Sequence, residues 1–177
     1  DNPVARSFYT GNQSISSYVF GNVFADAEII KGLSLRNEFG YSMSNYNNSG
    51  YSKSGLIGNT PIASQLIDYR GNGYFWSFKS YFSYYKTIGS HSFNATAGHE
   101  AQVNYWEQLS GTKTNLQNNI LDLNAGSSDK LTWGLNGGKN DASLESYFAR
   151  ANYTYDNRYT VGVSIRKDAS SKFYGDY

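Results

Sequence analysis

Apolar and polar residues change places at every second position in six stretches of this chain, which is the spacing of strands with one dry and one wet face. The stretches run from about Tyr18 to Ile30, Ser34 to Tyr46, Tyr74 to Ile88, His91 to Trp106, Leu144 to Tyr155 and Tyr159 to Lys167. In the second, Leu35, Phe39, Tyr41 and Met43 share one face, while Ser34, Arg36, Glu38, Ser42 and Ser44 share the other. Consecutive stretches pair as hairpins. A three-residue turn at Lys31-Gly32-Leu33, with Gly32 at positive φ, sets Glu28 opposite Arg36 and Ile29 opposite Leu35.

Gly89-Ser90 suits a two-residue type II′ turn with glycine first. Its register sets Lys79 against Glu100, Ser83 against Thr96 and Tyr81 against Gly98 on the polar face. On the apolar face it sets Trp76 against Val103, Phe78 against Ala101 and Phe82 against Ala97. Ser80 opposite His99 is the exception, two polar residues on the apolar face. A three-residue turn at Asp156-Asn157-Arg158 pairs Tyr153 with Val161, Ala151 with Val163 and Ala149 with Ile165. Arg150, Asn152, Gly162, Ser164 and Arg166 are left on the other face.

Turns of two or three residues alternate with two long links, about Asn47 to Asn72 and Glu107 to Asp141, rich in Asn, Gly and Ser and read as surface loops. Outer-membrane barrels have this asymmetry, with short periplasmic turns and long outside loops. The fold predicted is therefore all-β, an antiparallel transmembrane β-barrel segment of about six strands. Tyr153, Tyr155 and Tyr159 bracket one short turn and Tyr84 and Tyr85 approach another, where an aromatic girdle belongs, although tyrosine favours strands in any setting. Six strands alone leave two raw edges, and a plug-filled barrel takes about 22, so the segment is expected to be part of a larger barrel.

Composition narrows the classes. Seventeen Tyr, ten Phe and three Trp in 177 residues, with sparse Leu, Ile and Val, make the apolar surface mostly aromatic. No apolar run approaches the roughly 20 residues of a membrane-spanning helix, and no basic-then-apolar leader begins at Asp1. Alternating strands never raise mean hydropathy, so membrane crossing by strands stays open. A net charge of +1 with scattered Lys and Arg offers no stripe for nucleic acid. The lack of cysteine removes disulfides and thiolate chemistry.

Catalysis finds little support. His91 lies beside a turn and His99 inside a strand, and neither has metal-spaced companions. Gly134-Leu135-Asn136-Gly137-Gly138-Lys139 glances at a phosphate loop, but Trp133 holds the first glycine position and Asn140 the hydroxyl position, so it reads as a flexible loop. Asp122, Asn124, Ser128 and Asp129 carry oxygens in the second long link without EF-hand spacing, and read as a solvated loop. Asn94-Ala95-Thr96 and Asn152-Tyr153-Thr154 match sequons but fall mid-strand. No cofactor, metal site or enzyme activity is expected.

From Leu144 the chain runs Leu-Glu-Ser-Tyr-Phe-Ala-Arg-Ala-Asn-Tyr-Thr-Tyr-Asp-Asn-Arg-Tyr, then Ile165-Arg-Lys-Asp-Ala-Ser-Ser-Lys-Phe173. This resembles the SusC/RagA family of TonB-dependent outer-membrane transporters, whose late strands carry S-x-F-x-R-x-N-Y-x-Y-x-x-x-Y and then R-x-D-G-S-S-x-F. Ile30-Lys31-Gly32-Leu33 and Ala97-Gly98-His99-Glu100 are weaker echoes, so the likeness extends from about Ser17. Ala169 departs from the family glycine and disfavours a positive φ there. No plug domain or TonB-contacting segment is visible, so residues 1–177 are expected to be a partial barrel domain.

The resemblance implies energised uptake of an oligosaccharide or peptide at the outer membrane. Its implied partners are a SusD-like surface lipoprotein as lid, TonB through the missing plug region, the rest of the barrel, and outer-membrane lipid. Tyr51, Tyr69, Trp106 and Trp133 are the substrate-binding candidates, since aromatic rings stack on sugars and peptide side chains; packing of the loops on one another is the alternative use. Lumen-facing Arg36, Glu38, Lys79, Glu100, Arg150 and Arg166 are expected to form ion pairs against the plug or water. A competing reading is a soluble β-sandwich carbohydrate-binding module, which would bury Phe39, Trp76, Phe78 and Phe82 under a second sheet.

Overall fold

A computed structural model describes residues 3–57 and 59–173, with the backbone alone for Ala5 and Ile57. Asp1, where the sequence shows no leader, lies outside the described residues. A seven-residue helix, α1 (Pro3–Tyr9), precedes the strands β1 (Thr10–Ile30), β2 (Leu33–Ser52), β3 (Gly55–Ile57), β4 (Thr60–Ile62), β5 (Gln65–Ile88), β6 (His91–Thr114), β7 (Gly134–Tyr155) and β8 (Tyr159–Ser170). The six long strands form one sheet in the order β1-β2-β5-β6-β7-β8, so neighbours follow chain order apart from the small β3–β4 ladder.

The last hairpin carries the expected pairs. In β7–β8, Tyr153 pairs with Val161, Ala151 with Val163 and Ala149 with Ile165, as the three-residue turn requires. Asp156 and Asn157 hold that turn at φ 51° and 52°, in the left-handed region that short polar residues tolerate. Gly89 has φ +58° while Ser90 is not in the left-handed region, as a type II′ turn demands. The first turn is shorter than expected. Lys31 and Gly32 alone form it and Leu33 already lies in β2. Gly32, at φ +87°, accepts a hydrogen bond through its carbonyl from Tyr85 N–H at 2.7 Å, which ties the turn to the next hairpin.

The long links are much shorter than the sequence suggests. Ladders continue through Ser52, from Gln65, to Thr114 and from Gly134, so most of 47–72 and nearly half of 107–141 is strand. Gly134 to Lys139, read as a flexible loop, opens β7. Period-two contrast fades where both faces are polar, but a ladder needs only paired backbone groups, and unfavourable strand residues cost at most about 1 kcal/mol each. The remaining 115–133 segment has three 3₁₀ turns. Ala169 stays extended in β8 opposite Glu145, so its lack of glycine freedom is not felt.

The chain divides into two compact units. The first comprises Asp1–Tyr18, Ser44–Gly73 and Trp106–Asn140; the second comprises Val19–Met43, Tyr74–Tyr105 and Asp141–Tyr177. Within the first, Leu66 and Leu116 are 4% and 5% exposed. Ser64 lies between their segments and bonds Leu116 N–H at 2.7 Å. Within the second, no described apolar side chain is buried. Phe82 is 50% exposed, Val163 68% and Ile165 72%, and Phe39 and Phe78 are exposed as well. A β-sandwich would cover these side chains with a second layer, and here they stand uncovered.

Candidate functional site

The polar face of the second unit gathers charge around one carboxylate. Glu100 on β6 is 8% exposed. Its carboxylate accepts from Gln102 Nε2 at 2.9 Å and lies 3.4 Å from both Lys79 Nζ and Arg166 NH2. Arg166 also donates to Ser146 Oγ at 2.9 Å and to Asp168 at 2.8 Å. Register explains the convergence, since Ser146 lies opposite Asp168, and Phe148 opposite Arg166. Ser146 is fully buried under these partners. A carboxylate withdrawn from water needs several donors to offset its lost hydration, and Glu100 has three.

A second group lies on β1, β2 and β5. Arg36 pairs with Glu38 at 2.5 Å and Asp26 at 3.2 Å, and its guanidinium sits 4.3 Å from the centre of the Phe24 ring. Glu38 accepts from Tyr81 OH at 3.2 Å. Glu28 accepts from Gly32 N–H at 3.3 Å. Of the six residues expected on this face, five enter ion pairs, while Arg150 is exposed and meets no partner among the described residues. Asp26, Ser146 and Asp168 also enter the two groups and were not singled out from sequence, whereas Tyr81 was expected on this face. Asp168 was findable, being two positions from Arg166 and therefore on the same strand face.

This face is not uniformly wet. Tyr81 and Phe148 approach to 6.4 Å between ring centres and fill the space over Gly98. A Cβ there would lie 2.4 Å from Tyr81 Cβ and 2.5 Å from Ser80 O, the close approach expected if Tyr81 faces Gly98.

The four aromatic candidates lie in the first unit, and no described contact joins any two of them. Tyr51 packs over Gly11, with Lys53 5.9 Å from its ring centre. Tyr69 bonds Gln108 through its hydroxyl and meets Tyr46 edge-on at 5.4 Å. Trp106 lies beside Gly138, and Trp133 donates its indole N–H to Ser127 O at 2.6 Å under Lys113 Nζ, 4.2 Å from the ring centre. A polar cleft of about 680 Å³ in the same unit is lined by Asn45, Arg70, Asn72, Glu107 and Lys139. Asn72 donates to Glu107 at 3.0 Å. Strand alternation puts Asn72 and Tyr69 on opposite faces, so the cleft and the Tyr46–Tyr69 pair do not share a side.

In the 115–133 segment Asp122 accepts from Asn124 N–H at 2.7 Å and Asp129 from Leu131 N–H at 3.0 Å. Both carboxylates act as caps of 3₁₀ turns. The histidines are engaged on the apolar face of the second unit. His91 Nδ1 lies 2.7 Å from Tyr153 OH, and His99 Nε2 lies 3.1 Å from Glu145 Oε1. The polar exception expected at His99 is thus real, and its partner comes from β7.

No family model matches the chain. Two curated proteins of Formosa agariphila do. TonB-dependent receptor P3 is 25% identical over 175 residues and TonB-dependent receptor P39 is 28% identical over 182, each alignment covering 98% of this chain and 17% of the relative. Among solved structures, the RagAB peptide importer in its open-open state superposes with a TM-score of 0.88 over 94% of this chain and 19% of that one, at 21% identity. The chain is thus similar to TonB-dependent receptors along nearly its whole length. It spans about a sixth of the length of those relatives. Its six antiparallel strands have the fold of the RagAB barrel wall.

Proposed function

We propose that residues 1–177 are one wall, with its outside loops, of a larger plug-filled receptor that imports oligosaccharides or peptides across the outer membrane. The receptor is driven by TonB through the plug and is lidded by a SusD-like lipoprotein. The observation that carries this is the second unit's apolar face, where Phe39, Phe82, Val163 and Ile165 are uncovered, on a chain alignable almost end to end with TonB-dependent receptors. The RagAB peptide importer supports a peptide cargo and a partnered transporter, and the aromatic rings of the first unit suit sugars equally. On this reading the Glu100 and Arg36 groups face the lumen, and Arg150 is left to meet the plug or water. Both histidines make ring and hydrogen-bond contacts.

Spin labels at Phe39, Phe82 and Val163 in the full-length receptor in bilayers are expected to be relaxed by oxygen far more than by a water-soluble nickel chelate. The reverse would sink the wall assignment. Cells carrying the receptor are expected to lose uptake of an oligosaccharide or peptide nutrient when the TonB-contacting segment is deleted, and the lipoprotein is expected to co-purify. Undiminished uptake would sink the energised-import reading.

A further inference from the structure

Two His–Tyr pairs stand on the apolar face of the second unit. Near the β7–β8 turn, His91 meets Tyr153 and Tyr155 with ring centres 5.9 and 5.2 Å apart, and Phe93 meets Tyr153 at 5.0 Å. Farther along β6 and β7, the His99 ring lies 4.8 Å from Tyr147. There Glu145 Oε1 takes the Tyr147 hydroxyl at 2.9 Å as well as His99 Nε2. Lys167 lies opposite Tyr147 in the ladder and has no partner among the described residues.

A charged side chain on the lipid face is costly at the bilayer midplane and nearly free at its interfaces, so the Glu145 group belongs at an interface. Strand arithmetic agrees. Ten residues separate Glu145 from Tyr155. At about 3.3 Å per residue and a tilt of roughly 35–45° they rise about 23–27 Å, against a belt about 25 Å tall.

Between the two groups lies an apolar furrow of about 340 Å³, floored by Ala97, Ala149 and Ala151 and flanked by Phe82, Val163 and Ile165. Its size falls in the roughly 300–1,000 Å³ range of small-ligand clefts. It is continuous with the apolar face, and two positions beyond Ala97, Ala149 and Ile165 on that same face come His99, Tyr147 and Lys167.

We propose that this furrow holds one lipid of the outer leaflet, with an acyl chain on the three alanines and a phosphorylated sugar headgroup at the Glu145 group. Lys167 takes the phosphate, and sugar hydroxyls donate to the Glu145 carboxylate that His99 and Tyr147 hold in place. A phosphodiester headgroup without sugar offers no hydroxyl to Glu145 Oε2, the oxygen that Tyr147 and His99 do not engage, and a neutral sugar offers Lys167 no anion. The proposal rests on the barrel-wall reading.

The test uses the full-length receptor in phosphatidylcholine nanodiscs doped with lipid A, a phosphorylated disaccharide lipid, read by native mass spectrometry. The wild type is expected to retain one more lipid A than Ala149→Phe, which fills the furrow. Lys167→Gln is expected to lower lipid A retention at least fivefold while leaving phosphatidylcholine retention unchanged. Equal lipid A on all three proteins overturns the proposal, as does a dimer closed over this face that carries none. Lys167→Gln alters an exposed side chain and keeps the test decisive should Ala149→Phe fail to fold. The spin label at Val163 separates the two failures: oxygen contact with equal lipid retention defeats the lipid site alone, whereas water contact defeats the wall assignment beneath it.

Discussion

In the first unit Leu66 and Leu116 are almost closed off from solvent, and side chains of one segment cap and tether the next. In the second unit no described apolar side chain is buried, and Phe82, Val163 and Ile165 are half or more exposed. Ser54 in the first unit bonds Asn119 Oδ1 through both its N–H and its hydroxyl, at 2.7 and 2.9 Å, and Asn115 N–H bonds Ser64 O at 2.8 Å. Segments far apart in sequence are joined there by a small core and explicit hydrogen bonds. The second unit has ladders and polar-face ion pairs, but its apolar surface is satisfied only by something outside the chain. On the proposed reading the second unit's apolar face meets hydrocarbon while the first unit keeps its own small core, and substitutions should respond to the solvent they face.

The largest effect is expected at Leu116. Leu116→Ala removes one of two buried leucines and should cost about 2–5 kcal/mol of local stability. It should be read as faster amide exchange through 115–133, equally in detergent and in bilayers. If exchange there is unchanged, the first unit does not depend on its small core. The matching change in the second unit is Val163→Arg, expected to cost about 2–4 kcal/mol if the residue lies near the bilayer midplane. Urea titration of the full-length receptor in lipid vesicles measures it. Leu131→Arg, at a side chain 94% exposed in the first unit, should change nothing. Equal costs at Val163 and Leu131 would erase the distinction between the units.

The same contrast explains what the sequence reveals. The β7–β8 register and the Lys79–Glu100 pair are legible because a short turn leaves one way to align two alternating strands. The Glu145–His99 contact is not, because it joins β6 to β7 across the 115–133 link, and no short turn fixes that register. Tyr81 with Glu38, between β5 and β2, is hidden for the same reason. The strand extensions are invisible because alternation disappears once both faces are polar, although the backbone pairing persists. Asp122 and Asp129 look like cation ligands in the sequence, since a carboxylate that caps a turn and one that binds an ion are the same residue in the same kind of loop.

A third, smaller effect concerns the polar face. Gly98→Ala puts a Cβ 2.4 Å from Tyr81 Cβ, 2.5 Å from Ser80 O and 2.9 Å from Phe148 Cζ. Overpacking of this kind costs about 1–3 kcal/mol. Gly21→Ala, with open space at the same test position, is expected to be neutral or slightly stabilising. Similar penalties at the two glycines would mean that strand propensity, not the Tyr81–Phe148 contact, sets the cost.

The smallest effect is the most informative about what the wet face meets. Lys79 lies 3.4 Å from Glu100, with its side chain 36% exposed against 11% for the carboxylate. A pair with one partner in solvent contributes about 0.2–1 kcal/mol, and screening by salt reduces it. A double-mutant cycle of Lys79→Met and Glu100→Gln in the full-length receptor should therefore give a coupling in that range that shrinks between low and high salt. Glu100→Gln alone should exceed the coupling, because Arg166 and Gln102 also lose a charged acceptor. A coupling well above this range and indifferent to salt would show that the pair is shut away from water by the plug; the same measurement on the barrel with the plug removed would then bring back the salt dependence.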